Sequence, residues 1–94
     1  MEATRALVLD RRDNVATALV GLGRGERVSL GGQVVELGED IPRGHKFAIR
    51  PIARGEEVVK YGQPIGRATA DIAPGQHVHV HNVASQRATP KEQS

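Results

Sequence analysis

Ile41-Pro42-Arg43-Gly44-His45-Lys46-Phe47 is one of three copies of a seven-residue pattern, Ile-x-x-Gly-x-x-apolar. The others are Ile52-Ala53-Arg54-Gly55-Glu56-Glu57-Val58 and Ile72-Ala73-Pro74-Gly75-Gln76-His77-Val78. Glycine at the fourth place admits positive φ, Pro74-Gly75 is a type II turn pair, and the apolar residues at both ends anchor the turn in a core. The copies begin 11 and then 20 residues apart, so they lack the fixed period of a solenoid. Eleven glycines and five prolines in 94 residues agree with short strands joined by tight turns. The expected fold is mainly β, with one or two short helices.

Upstream of the repeats, Arg27-Val28-Ser29-Leu30 and Gln33-Val34-Val35-Glu36-Leu37 flank Gly31-Gly32 and read as a hairpin with a glycine turn. Leu7-Val8-Leu9 reads as a short strand. Val15, Ala18, Leu19 and Leu22 fall at i, i+3, i+4 and i+7, which predicts an amphipathic helix from Asn14 to Leu22, N-capped by Asp13 and stopped by Gly21 and Gly23. A helix of that length is below the ~12–15 residues that hold alone in water, so it would dock its apolar stripe on a sheet or a partner. The folded domain is expected over residues 1–83. Residues 84–94 have no apolar periodicity and read as a mobile tail.

Composition narrows the chemistry. A single domain of this size buries only about 60–65% of its unfolded surface, so a partner is plausible from size alone. Phe47 and Tyr61 are the only aromatic residues apart from the histidines, which leaves no stacking platform for single-stranded nucleic acid. Thirteen Lys+Arg against eleven Asp+Glu give a net charge of +2, with the signs interspersed, so no basic patch for duplex binding is present. The absence of cysteine excludes disulfides, thiolate zinc sites and iron–sulfur ligation. The apolar run Ala6-Leu7-Val8-Leu9 is too short for a signal peptide, and no stretch approaches the roughly 18 apolar residues that span a bilayer. A soluble, cytoplasmic location is expected.

Function points to Gly75-Gln76-His77-Val78-His79-Val80-His81-Asn82, which holds three of the four histidines at alternate positions. In an extended strand His77, His79 and His81 share one side, while Val78 and Val80 face the other. His77 and His79 are then within reach of a common metal. His81 lies about 13 Å from His77 along a straight strand, too far to join them, and is left for acid–base or substrate work. The competing reading is an exposed polar strand face.

His45-Lys46 follows the first repeat's glycine and would stand at the start of a strand. The ammonium suits a carboxylate or sulfonate, and the imidazole can move a proton. A solvated strand-edge lysine is the alternative, as it is for Lys60. Tyr61 can equally be a core ring with its hydroxyl at the surface. Gly62-Gln63-Pro64-Ile65-Gly66 lacks the ending of a phosphate loop, and no covalent nucleophile stands out.

Four segments together carry a resemblance: Asp13-Asn14-Val15-Ala16-Thr17-Ala18-Leu19, Ile41 to Ile49, Lys60-Tyr61-Gly62-Gln63-Pro64-Ile65-Gly66-Arg67-Ala68-Thr69, and Gly75 to Asn82. From about Leu9 to Val83 the chain resembles the N-terminal domain of the altronate and galactarate dehydratase family. That domain is similar to the wider SAF group, to type III antifreeze protein and to the C-terminal domain of sialic acid synthase, which implies a β-clip fold. The resemblance implies a small accessory subunit of a hydro-lyase that dehydrates an altronate-type sugar acid, inactive alone and completing the active site of a large catalytic subunit. It also implies a divalent metal, Fe2+, held mainly by that large subunit.

Sulfolactate sulfo-lyase, which expels sulfite instead of water, is the nearest rival function. A stand-alone SAF carbohydrate-binding module and a small metal carrier using His77 and His79 are the others. The motifs match at Asn14, His45, Lys46, Lys60, Tyr61, His77, His79, His81 and Asn82. The expected roles are catalytic for His45, Lys46 and His81, substrate-binding for Asn14, Lys60, Tyr61 and Asn82, and metal-binding for His77 and His79. Asp10-Arg11-Arg12-Asp13 departs from the family, whose members tend to carry a His-Pro pair there.

Overall fold

The computed structural model describes residues 4–85, and within them every regular element is a strand, in agreement with the mainly β expectation. In chain order these are β1 (Ala6–Leu7), β2 (Val15–Ala18), β3 (Arg27–Ser29), β4 (Val34–Glu36), β5 (Lys46–Ala48), β6 (Glu57–Lys60), β7 (Gln63–Ala68), β8 (His77–Val78) and β9 (Val83–Ala84). They form three antiparallel sheets, ordered β1-β2-β5-β8, β3-β4 and β6-β7-β9. The expected hairpin is β3–β4, turned by Gly31 and Gly32 at positive φ. The expected tail begins with Ala84, which pairs in β9, and residues 86–94 lie outside the described residues.

The turn pattern occurs four times. Leu22-Gly23-Arg24-Gly25-Glu26-Arg27-Val28 is a further copy that starts on leucine and so escaped a search anchored on isoleucine. In every copy the glycine sits at φ between 84° and 89°, the value a type II turn requires at its third residue. Each of these glycines donates its N–H to a carbonyl on another segment, at Leu37, Ala18, Ala68 and Ala48, all at 2.8 Å. The copies associate in pairs through two-way bridges, Leu22 with Ile41 and Ile52 with Ile72.

Fifth residues of the turns show how the sequence frees one side chain. Glu26, Glu56 and Gln76 each accept the N–H of the second residue of their own copy, at 2.7, 2.8 and 2.6 Å. In the Ile41 copy the second residue is Pro42, which has no N–H to satisfy. The fifth residue there is His45, and its ring is turned to other imidazoles.

The helix expected from Asn14 to Leu22 is a correction: its first half is β2, and no helix occurs among the described residues. β2 is hydrogen-bonded to β1 on one side and β5 on the other, and both of its faces are covered. Ala16 and Ala18 join one apolar cluster with Leu37, Ile41 and Phe47, while Val15 joins a second with Ala48, Ile52, Val58 and Val78. A strand buried on both faces shows an apolar run without strict alternation, and here that run coincided with a helical period. Leu19, assigned to the helix stripe, is 39% exposed.

Asp13 caps no helix. It is buried, and its carboxylate accepts the N–H groups of Leu9 at 3.3 Å, Asp10 at 3.2 Å and Gly62 at 2.7 Å.

Candidate functional site

β8 ends at Val78, and residues 79–82 turn away, closed by the N–H of Asn82 on the carbonyl of His79 at 3.1 Å. The straight strand expected through His81 is therefore corrected. Val80, expected on an apolar face with Val78, is 82% exposed, whereas Val78 is buried completely. The bend brings His81 in: its ring centroid lies 5.4 Å from that of His77, tilted by 39°.

His45 completes the group from the neighbouring strand. Phe47 lies opposite His77 and Lys46 opposite Val78, so continuing the same register sets His45 beside His79. The two rings stack at 4.3 Å, His45 stacks on His77 at 5.0 Å, and His77 on His79 at 5.4 Å. His45 Nδ1 and His77 Nε2 are 2.9 Å apart and share a hydrogen bond. One ring nitrogen from each of His45, His77 and His79 lies within 4.8 Å of the other two, and all three residues are half-buried. Convergent neutral imidazoles on a partly open surface suit a divalent transition ion, and three protein ligands leave coordination positions for other groups. The donor set thus fits the expected metal and adds His45 to the expected pair.

Burial, followed by the neighbouring imidazoles of His45, His79 and His81, pushes the His77 pKa below its ordinary value, against an opposing pull from Glu39. His79 is lowered as well, by desolvation first and then by His45, Lys46 and His81. Both shifts favour the neutral form that binds metal.

Lys46 and His45 leave the start of β5 on opposite faces. Residues directly opposite in antiparallel strands share a face, so His77 sides with Phe47, while Lys46 sides with Val78 and with Thr17 of β2. On that second face the Tyr61 hydroxyl donates to Thr17 Oγ1 at 3.4 Å, and the Lys60 ammonium lies 4.9 Å from the centroid of the Tyr61 ring. Tyr61 is 38% exposed, so it is no core ring. Burial, then the charge of Lys60, lowers the pKa of Lys46.

The two asparagines are buried and engaged with backbone. Asn14 Nδ2 donates to the Glu57 carbonyl, and its Oδ1 accepts the Val59 N–H, both at 2.8 Å. Asn82 Oδ1 accepts the His79 N–H at 3.0 Å, and its Nδ2 donates to the His77 carbonyl at 2.9 Å. Asn14 thus holds β6, which carries Lys60, and Asn82 holds the histidine turn. Two neighbours of the site, Thr17 and Glu39, were not legible from sequence. Glu39 accepts the His77 N–H at 3.0 Å across 38 residues, a contact with no local signature.

Residues 4–86 match the altronate/galactarate dehydratase SAF domain family, and the chain belongs to it. Among curated proteins it is similar to altronate dehydratase of Escherichia coli strain K12, 59% identical over 70 residues that make up 74% of this chain and 14% of that protein. Altronate dehydratase of Bacillus subtilis strain 168 is 46% identical over 79% of this chain and 15% of its own length. The (2R)-sulfolactate sulfo-lyase subunit alpha of Chromohalobacter salexigens is 52% identical over 55% of this chain and 55% of its own length. The chain therefore spans about one seventh of the dehydratases it matches and about half of the sulfo-lyase subunit. Among the described residues no helix is long and apolar enough to cross a membrane.

Proposed function

We propose that this chain is the small accessory subunit of a cytoplasmic hydro-lyase that dehydrates an altronate-type sugar acid, and that its histidine face completes the active site of a large catalytic polypeptide. The observation that carries the reading is the convergence of His45, His77 and His79 within 4.8 Å, in a domain whose dehydratase relatives contain several times its length. Removing water from such an acid takes a proton from the carbon next to the carboxylate and expels the neighbouring hydroxyl. Imidazoles are suited to carrying those protons, and His81, at the rim of the cluster, is exposed enough to reach an incoming substrate. His45, His77 and His79 would hold a divalent ion such as Fe2+, shared with the large polypeptide. When bound, that ion supplies Lewis-acid stabilisation of enolate-like charge.

A second reading changes the leaving group to sulfite. It is favoured by the sulfo-lyase relative, which is named as a separate subunit and matches over about half of both chains. Co-expression with a large lyase polypeptide, followed by assays on altronate and on sulfolactate, separates the two. The expected result is no turnover by the 94-residue chain alone and dehydration of altronate by the pair. Full turnover by the isolated chain, or failure of the two polypeptides to associate, would overturn the subunit reading.

A further inference from the structure

β1 and β3 each lie at the edge of a sheet, and both border one groove of about 970 Å3. Residues 4–8 line it on one side and residues 27–31 on the other, consecutively, so its walls are backbone edges and not single side-chain faces. Ala18 donates its N–H to the His45 carbonyl and accepts the Gly44 N–H, both at 2.8 Å, so its hydrogen bonds run to the β5 side and not to its partner Ala6 in β1. The N–H and C=O of Ala6 therefore point away from β2. Ala6 is 7% exposed, a burial at which backbone groups are ordinarily paired. In the β3–β4 ladder Leu30 and Gln33 exchange hydrogen bonds in both directions, and Leu37 donates to the Glu26 carbonyl at 2.9 Å. Alternation then turns the N–H and C=O of Arg27 and Ser29 away from β4. No strand pairs with either open edge among the described residues. Ala6 and Val28 belong to the same apolar cluster, with Val8 and Leu30 packed against it, and these residues line the groove.

Open strand edges bordering an apolar groove fit an extended segment that adds to the sheet through its backbone and turns alternate side chains to the core. Charge narrows the occupant. The charged residues that line the groove are Arg5 and Arg27, and no carboxylate lines it. Arg5 is bridged to Glu26, whereas Arg27 is mostly exposed and stands 4.0 Å from Glu36, loosely enough to turn to an incoming acid. We infer that the groove between β1 and β3 binds an extended, acidic segment of the large lyase polypeptide by strand addition. The occupant's identity rests on the subunit reading: the matched part is only 14% and 15% of the altronate dehydratase relatives, and a separate large polypeptide has to grip this chain without a covalent link. β1 and β8 are the two opposite edges of the four-stranded sheet, so docking at β1 leaves the imidazoles around β8 free to face a substrate.

The test is amide hydrogen exchange of the full 94-residue chain, alone and bound to the co-expressed large lyase polypeptide, together with the affinity of the pair. The expected result is slower exchange on association in peptides covering residues 4–8 and 27–31. Ser29→Pro removes an outward N–H while sparing the ladder to β4, and is expected to weaken association about tenfold. Ser29→Ala keeps that N–H and is expected to bind like the parent. Arg27→Glu is expected to weaken association about fivefold at low salt and less at high salt. It changes only an exposed side chain, so it decides the matter if Ser29→Pro does not fold. Association with unchanged exchange in both stretches, or folded Ser29→Pro and Arg27→Glu variants that bind as tightly as the parent, would overturn the docking and leave the subunit reading standing. Failure of the two polypeptides to associate would overturn both. A dimer of the chain alone in light scattering, broken by Ser29→Pro, would make a second copy the occupant and overturn the inference.

Discussion

Asp13 Oδ1 accepts the backbone N–H of Gly62 at 2.7 Å, joining the start of β2 to a turn 49 residues later. The neighbouring Asn14 stitches the same two regions together through Glu57 and Val59. This dipeptide is thus the strap that sets the height of β6 and aims Lys60 and Tyr61. Asp13→Ala would leave three part-buried backbone donors, at Leu9, Asp10 and Gly62, without their acceptor. The expected loss is about 3 kcal/mol of unfolding free energy in urea titrations. A loss below about 1 kcal/mol would mean that water replaces the carboxylate and the strap is dispensable.

Each of His45, His77 and His79 offers a nitrogen to the common point, so each single alanine substitution should lower Zn2+ or Fe2+ affinity on the order of 100-fold in a competition titration. His81→Ala should cost much less, since its ring is tilted and outside the converging set. Equal effects at all four positions would assign His81 to the metal and remove it from acid–base work.

Through its two side-chain hydrogen bonds Asn82 fixes the backbone on both sides of Val78. Asn82→Ala should weaken metal binding roughly tenfold by letting the turn relax, the size seen when supporting groups around a metal are lost. Asn82→Asp keeps the acceptor for His79 and loses the donor to His77, so an intermediate affinity is expected. Unchanged affinity in both variants would show that the histidine turn holds its own shape.

His77 and His79 are both held below the ordinary imidazole pKa of 6.5. The folded chain therefore binds fewer protons than the unfolded chain in this range. The stability they contribute is present above 6.5 and is lost as the pH falls from there through the lowered folded values. The melting temperature of the metal-free chain should accordingly drop between about pH 7.5 and about pH 5.5, a window in which carboxylates scarcely titrate. Replacing both residues with glutamine should flatten that dependence; an unchanged slope would place its origin elsewhere.

Turn chemistry was the part of this fold most open to inspection in the chain itself. Gly44, Gly55 and Gly75 occupy the left-handed positions that their repeat demanded, and Gly31-Gly32 turns the expected hairpin. These are local requirements, written within four residues. The period of Val15, Ala18, Leu19 and Leu22 misled because burial on both faces of β2 is a tertiary fact, set by two separate apolar clusters. The fourth repeat, at Leu22, was visible in principle but carries a different apolar residue at its head.

The amino-acid order alone determined that this chain would be strands and tight turns, and that His77, His79 and His81 would form a chemically distinct stretch. It did so because glycine, proline and alternation act over a few neighbouring residues. Tertiary structure decided that His45 meets His77 and His79, that Tyr61 meets Thr17, and that Lys46 leaves β5 on the face shared with Thr17. Those relationships depend on register between strands distant in sequence, and register is fixed only when the shared core closes.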